Sequence, residues 1–167
     1  MARIWIKYLL LYIFVVLVQV LVLNQLQVSG YLNPYFYMLF ILLLPVSTPR
    51  YLVLLLAFFT GFTIDFFTDT PGLHAAATTL LGYVRTPVLY LVSGRGSDIS
   101  EYPSLKNNGL RWFLIYSVIL VLAHHFFLFY MEVFSFTGFF RTLIRVIFST
   151  ILSVFVIVLS QFLIFRE

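Results

Sequence analysis

Long apolar runs, separated by short polar or helix-breaking stretches, dominate the sequence. A helix that crosses a lipid bilayer needs about 20 apolar residues. The runs predict spans at residues 5–26, 35–44, 51–67, 73–85, 112–133 and 140–165. With 62% hydrophobic and 10% charged residues, the chain is too apolar for the surface of a domain in water. We therefore expect an all-α, polytopic membrane protein, with six transmembrane helices in one domain that covers residues 1–167.

Two of the predicted spans are short. The run at 35–44 ends at Pro45 and is just long enough for a short span in a locally thinned bilayer. The fourth span is predicted to end at Arg85, because Pro87 disfavours the helical conformation of the residue before it. Between the fourth and fifth spans, residues 93–111 form the longest polar stretch, which predicts a hydrophilic loop.

The basic residues predict the orientation in the membrane. Six spans place both termini on one side, and that side then holds Arg3, Lys7, Arg50, Arg95, Lys106, Arg111 and Arg166. Arg85 lies near this side, whereas Arg141 and Arg145 lie on the other. Because short loops rich in Lys and Arg face the cytoplasm, we expect both termini and the loop at 93–111 to be cytoplasmic. The first run lacks a following cleavage site and is interpreted as a retained span.

Composition and motifs argue against several classes of function. The chain has no Cys, which excludes disulfides and thiolate metal sites, and its net charge of +4 is scattered and forms no basic block of the nucleic-acid-binding type. The sequence has no motif typical of a hydrolase nucleophile, a zinc-binding helix or a phosphate-binding loop. We therefore predict a protein that is not an enzyme and has no catalytic residue, cofactor or metal.

The most informative polar segment lies between the third and fourth spans. Asp65 and Asp69 are four residues apart, so they could share a helix face and bind a cation or a proton, with His74 as a third partner. The favoured interpretation is structural. Asp69 is placed to cap the fourth helix and Gly72 permits a tight loop. Asp65, at a span end, then needs a nearby cation or backbone donors.

The last two spans carry further polar groups. His124 and His125 are adjacent, so they point about 100° apart on a helix and cannot both bind one metal ion. Polar contacts between helices are the expected role. Glu132 ends the fifth span, and Arg141 and Arg145 begin the sixth, which predicts an ion pair across the turn. The favoured interpretation, however, is that both arginines extend to the membrane interface, where lipid headgroups lie.

Small residues in the fourth span predict close helix packing. They are Ala75, Ala76, Ala77, Thr78, Thr79 and Gly82. In the last span, Ser149 and Ser153 lie four residues apart and can line one seam.

Residues 61–85 contain a Gly-x-x-x-Asp unit (Gly61 and Asp65), an Asp-Thr-Pro-Gly-Leu-His-Ala sequence that begins at Asp69, and an Ala/Thr-rich fourth span. In these features the segment resembles the rod shape-determining protein MreD family. The resemblance extends over nearly the whole chain through the chain length, the single N-terminal span that Arg and Lys residues open, the Arg-Thr-Pro sequence, the polar loop and the Phe-Thr-Gly-Phe-Phe-Arg sequence before the last span.

The resemblance implies a subunit of the cell-elongation machinery in the bacterial inner membrane. Such a subunit binds the single-span scaffold MreC and, with it, a SEDS glycosyltransferase and a class B penicillin-binding protein, with the actin homologue MreB as a further partner. The implied fold is similar to the six-helix substrate-binding subunits of energy-coupling vitamin transporters. No catalytic residue carries over. The candidate structural or partner-contact residues are Gly61, Asp65, Asp69, Gly72, His74, Arg85, Arg141 and Arg145.

Two other functions are compatible with the same residues. One is a substrate-binding subunit of a small-molecule transporter of the vitamin type, because its architecture is similar. The other is a proton- or ion-coupled carrier that uses Asp65 and Asp69.

Overall fold

The structure is a computed structural model that describes residues 2–25, 33–94, 100–134 and 138–164. All secondary structure in these residues is helical, as predicted. The helices are α1 (Ala2–Leu21, followed by a 3-10 turn at Leu23–Gln25), α2 (Met38–Leu42), α3 (Arg50–Thr68), α4 (Leu73–Ser93), α5 (Leu105–Asn108), α6 (Leu110–Val133) and α7 (Phe139–Ile164).

Five helices are long and apolar enough to cross a membrane, namely α1 with the turn after it, α3, α4, α6 and α7. Their spans have 19 to 25 residues and mean hydropathies between 1.2 and 2.5. Large apolar side chains such as Phe66, Leu91 and Ile151 are exposed on them, which suits contact with lipid. The chain is therefore a multi-pass membrane protein.

The second apolar run forms no long helix. Residues 33–44, called the core segment below, lie inside the bundle, and every residue from Pro34 onward is buried. The segment begins without regular secondary structure and contains only the short helix α2. It runs antiparallel to α1, because Gln19 binds its first residues and Tyr8 binds its end. The described residues thus hold five helices of transmembrane length, not the six that the sequence predicted.

Helix α4 continues past Pro87, so the prediction that this span ends at Arg85 is wrong. Pro87 lacks the N–H that would bind the carbonyl of Tyr83. Ending the helix inside a membrane would leave several more backbone groups without partners, at several kcal/mol each. Continuation also buries Val88 and Leu89 in the core, so one lost hydrogen bond costs less than a break.

The closest helix packing joins α3 and α4. A Cβ atom on Gly82 of α4 would lie 3.0 Å from the Cβ atom of Ala57 of α3. Ala75, Ala77 and Thr78 of α4 are also buried. Four of the six small residues predicted to pack closely are thus buried, whereas Ala76 is exposed. The buried ones form a face that positions α3 and α4 for the contacts described below.

Two loops meet at the end of the bundle where α1 begins. The Val46 N–H donates a hydrogen bond to the Glu101 carbonyl at 2.8 Å, and Lys7 lines a groove together with Lys106 of α5. This end is called the Lys7 end, and the end with the turn between α6 and α7 is called the Arg145 end. The residues outside the description that the orientation argument used are Arg95, Arg166 and the side chain of Arg3.

Candidate functional site: a buried polar core

Asp65, near the end of α3, caps the start of α4. Its carboxylate accepts hydrogen bonds from the backbone N–H groups of His74 (2.9 Å) and Ala75 (2.8 Å) and from the Thr70 hydroxyl (2.8 Å). The first N–H groups of a helix have no partner within that helix, and a negative charge there is stabilised by the helix dipole. Of the two kinds of partner expected for Asp65, a cation or backbone donors, the structure shows backbone donors.

The sequence predicted that Asp69 caps α4, and this prediction is wrong. Asp69 instead ends α3. Its backbone is left-handed with a φ of 53°, its N–H donates to the Asp65 carbonyl, and its side chain is exposed. Gly72, with a φ of 82°, holds the position before α4, a conformation that glycine adopts without strain. Asp65 bonds the first turn of α4 from the preceding helix, so the two carboxylates do not face one site.

Gly61, one turn before Asp65, is a point of very close approach between α3 and α4. A Cβ atom there would overlap the carbonyl oxygen of His74 and would lie 2.5 Å from the Cα atom of Ala75. These are backbone atoms of a packed helix, which cannot rotate away as a flexible side chain does. The glycine therefore lets the two helices meet where the aspartate bonds them.

A tyrosine of the core segment joins two histidines from different helices. The Tyr37 hydroxyl lies 2.9 Å from Nδ1 of His74 on α4 and 2.8 Å from Nε2 of His124 on α6. A hydroxyl has one proton, so it donates to one imidazole and accepts from the other. All three side chains are buried. Tyr37 thus holds the core segment between α4 and α6.

His125 makes a separate set of contacts. Its Nδ1 donates to the Val121 carbonyl at 2.8 Å, which leaves Nε2 to accept from the Ser153 hydroxyl of α7 at 3.3 Å. Ser153 Oγ in turn accepts the backbone N–H of Tyr35 at 2.8 Å. The prediction that the adjacent histidines make polar contacts between segments is confirmed, and each has different partners.

Gln19 of α1 binds the irregular start of the core segment. Its Oε1 accepts the N–H of Phe36 at 2.6 Å, and its Nε2 donates to the carbonyl of Pro34 at 3.2 Å. Backbone outside a helix or sheet needs such partners, because buried N–H and C=O groups are costly when unpaired. Sequence reasoning missed Gln19, although an amide in the middle of an apolar run was the available signal.

Arg85 binds the other end of the core segment. Its Nη2 donates to the Leu44 carbonyl, and its Nε donates at 3.1 Å to the Tyr116 hydroxyl, which itself donates to the Leu42 carbonyl at 3.0 Å. Arg85 is 2% exposed, and no carboxylate in the described part of the chain lies within 4 Å of it. The sequence placed Arg85 at a helix break near the membrane surface. Instead it lies within α4 and binds backbone oxygen.

Arg145 forms an ion pair between α6 and α7, which the sequence offered beside the favoured extension to the membrane interface. Its Nη1 lies 3.0 Å from Oε2 of Glu132, and its guanidinium lies 4.1 Å from the centroid of the Phe129 ring. Arg141, one turn earlier, is exposed. Because Glu132 is 42% exposed, the pair contributes about 1 kcal/mol at most. Ser149, predicted to line a seam with Ser153, is buried beside it.

The candidate residues therefore fall into separate groups. Gly61, Asp65, Gly72 and His74 converge at the start of α4, Arg85 lies toward the Lys7 end, and Arg141 and Arg145 lie at the Arg145 end. Within the described ranges, no three His, Cys, Asp or Glu side chains are placed to hold a metal ion. The chemical role of these buried polar side chains is to supply hydrogen bonds to irregular backbone inside a membrane protein.

Comparison of the chain with protein-family models, with curated proteins and with solved structures gave no match. We therefore base the functional assignment on the residues and contacts described above.

Proposed function

We propose that this chain is a non-catalytic subunit of the cell-elongation (rod) complex in the bacterial inner membrane. In this role it binds an MreC-like single-span scaffold and supports rod shape and lateral peptidoglycan synthesis. Its further partners are the SEDS glycosyltransferase with its penicillin-binding protein, and MreB. The resemblance of residues 61–85 to the MreD family motivates the proposal, which extends to a fold similar to the substrate-binding subunits of vitamin transporters.

The observation that carries the proposal is that the residues of this resemblance work together as a structural lock. Gly61 allows α3 and α4 to touch, Asp65 bonds the start of α4, and His74 bonds Tyr37 of the core segment. The four residues Gly61, Asp65, His74 and Tyr37 are all buried. A subunit that presents a rigid surface to its partners needs such an interior.

The distribution of charge supports cytoplasmic termini. The Lys7 end carries Lys7, Arg50, Lys106 and Arg111. The Arg145 end carries Arg141 and Arg145, and Glu132 neutralises the latter. The excess of basic residues at the Lys7 end is what a cytoplasmic surface has, so we propose that the N-terminus lies in the cytoplasm.

A groove between α3 and α4 suits the single span of a scaffold partner. Arg50 and Leu54 of α3 and Thr86 and Tyr90 of α4 line it, and its volume is about 540 Å³. Gly82 and Pro87 also line it and carry no bulky side chain, and the exposed rings of Tyr83 and Tyr90 stand beside them. Small residues let a second helix approach closely in a membrane, and Arg50 at the Lys7 end is available to a carboxylate at the end of that helix.

Cysteine crosslinking tests this contact directly, because the chain has no native Cys. We expect Thr86→Cys to crosslink to a cysteine in the span of MreC. Ile151→Cys, on the exposed face of α7, is the matched control and should not crosslink. Equal crosslinking at both positions, or at Ile151 alone, would contradict the proposed surface.

Depletion in a rod-shaped host tests the function itself. We expect the cells to become round, and an affinity-tagged chain to recover MreC from detergent extracts. Rods of normal shape together with a pull-down that lacks MreC would refute the proposal. A co-purified small molecule with a saturable thermal shift would instead favour the transporter subunit. Loss of the chain's function in the cell in Asp65→Asn, with the stability of the protein unchanged, would favour the ion-coupled carrier.

A further inference from the structure

A second groove, of about 760 Å³, lies between α1 and α7 at the Lys7 end. Its walls are apolar, with Leu10 and Phe14 from α1 and Leu43 from the core segment. α1 packs mainly on α3 and on the core segment rather than on α7. The gap left between α1 and α7 faces the membrane, where Leu10 is 61% exposed. Its volume lies in the range of sites for small ligands.

One end of this groove is basic. Lys7 from α1 and Lys106 from α5 both line it, and both are exposed. The neutral polar side chains of Ser104 and Asn107 stand beside them. The lining within the described part of the chain includes no carboxylate. Two ammonium groups and several neutral donors therefore meet at the mouth of an apolar groove, and this combination fits an amphiphile with an anionic headgroup.

An unpartnered donor lies inside the same groove. Gln161 of α7 lines it and is 2% exposed, yet its Nε2 has no hydrogen-bond partner among the described residues. Burial of an unpaired amide N–H is costly. An oxygen of a ligand in the groove would accept this hydrogen bond. The observation is independent of the lysines, since Gln161 comes from a different helix and carries no charge.

We propose that this groove binds one anionic phospholipid. The phosphate lies between Lys7 and Lys106, an ester oxygen accepts from Gln161 Nε2, and an acyl chain lies along Leu10 and Phe14. The site goes beyond the proposed role in the rod complex and does not depend on it. In a cytoplasmic leaflet rich in anionic lipid, such a lipid would fill the gap between α1 and α7 and join them.

Native mass spectrometry of the purified full chain tests the site. Detergent micelles are doped with phosphatidylglycerol or, in parallel, with neutral phosphatidylcholine. We expect one phosphatidylglycerol to be retained in preference to phosphatidylcholine. Each lysine near a membrane surface strengthens anionic binding about fivefold, so Lys7→Gln with Lys106→Gln should weaken it about 25-fold. The matched control is Arg50→Gln with Arg111→Gln, which removes the same charge at the same end but outside this groove.

Two further measurements separate the possible ligands. Gln161→Leu should weaken phosphatidylglycerol retention severalfold while both lysines remain, because the amide donor is lost. Glycerol phosphate, which has the headgroup chemistry without acyl chains, should not displace the lipid at equal concentration. Equal retention of the two lipids, equal loss in the lysine and arginine double variants, or full displacement by glycerol phosphate would each overturn the proposal.

Discussion

Replacement of Asp65 by Asn tests the structural lock with the smallest change of shape. The carboxylate accepts three hydrogen bonds with both oxygens, and it is 5% exposed. An amide keeps one acceptor oxygen and turns an NH2 group toward the other donor, so the N–H of either His74 or Ala75 loses its partner. One charge-assisted hydrogen bond is lost and one buried donor is stranded, which together cost about 2–4 kcal/mol.

Asp69→Asn is the matched control, because Asp69 lies four residues away, has an exposed side chain and makes no capping bond to α4. We expect that variant to change the free energy of unfolding by about 0.5 kcal/mol at most. Reversible unfolding by SDS in mixed micelles measures both values. A difference below about 0.5 kcal/mol between Asp65→Asn and Asp69→Asn would refute the capping role of Asp65.

Three more substitutions test the same interior. Gly61→Ala should lower the free energy of unfolding by about 1–3 kcal/mol or more, because its Cβ atom meets backbone; a melting temperature like that of the unmodified protein would contradict this. Gln19→Leu should increase hydrogen exchange at the start of the core segment, and protection equal to that of the unmodified protein would show that Gln19 is dispensable there. Tyr37→Phe should destabilise the chain by about 1–3 kcal/mol, since nitrogens of His74 and His124 lose their shared partner; a change below about 0.5 kcal/mol in SDS unfolding would argue against this contact.

Several features follow from single residues and their near neighbours. Asp65 had to find donors because a carboxylate at the end of a span is costly without them. The pair of Glu132 and Arg145 follows from their positions on either side of one turn. The different partners of His124 and His125 follow from helix geometry. In each case local conformation alone offered the contact as one of few alternatives, and the structure shows that it forms.

Other features depended on groups far apart in the sequence. Asp69 is nearer to α4 in the sequence than Asp65 is, yet Asp65 caps α4. The reason is that the close packing at Gly61 brings α3 against the start of α4. Pro87 predicted an end to α4, but the cost of unpaired backbone in an apolar environment outweighs one missing hydrogen bond. The local helix propensities around Asp69 and Pro87 predict neither outcome.

The apolar runs alone indicated a multi-pass membrane protein and located its long helices, apart from the end of α4, because a helix in a membrane satisfies its own backbone and needs only length and hydrophobicity. Only the tertiary structure decided the conformation of the core segment. Its ten or so residues are too few for a long span, and their backbone is satisfied by Gln19, Arg85, Tyr116 and Ser153 from four different helices. A linear apolar pattern does not record which distant side chains will supply those hydrogen bonds.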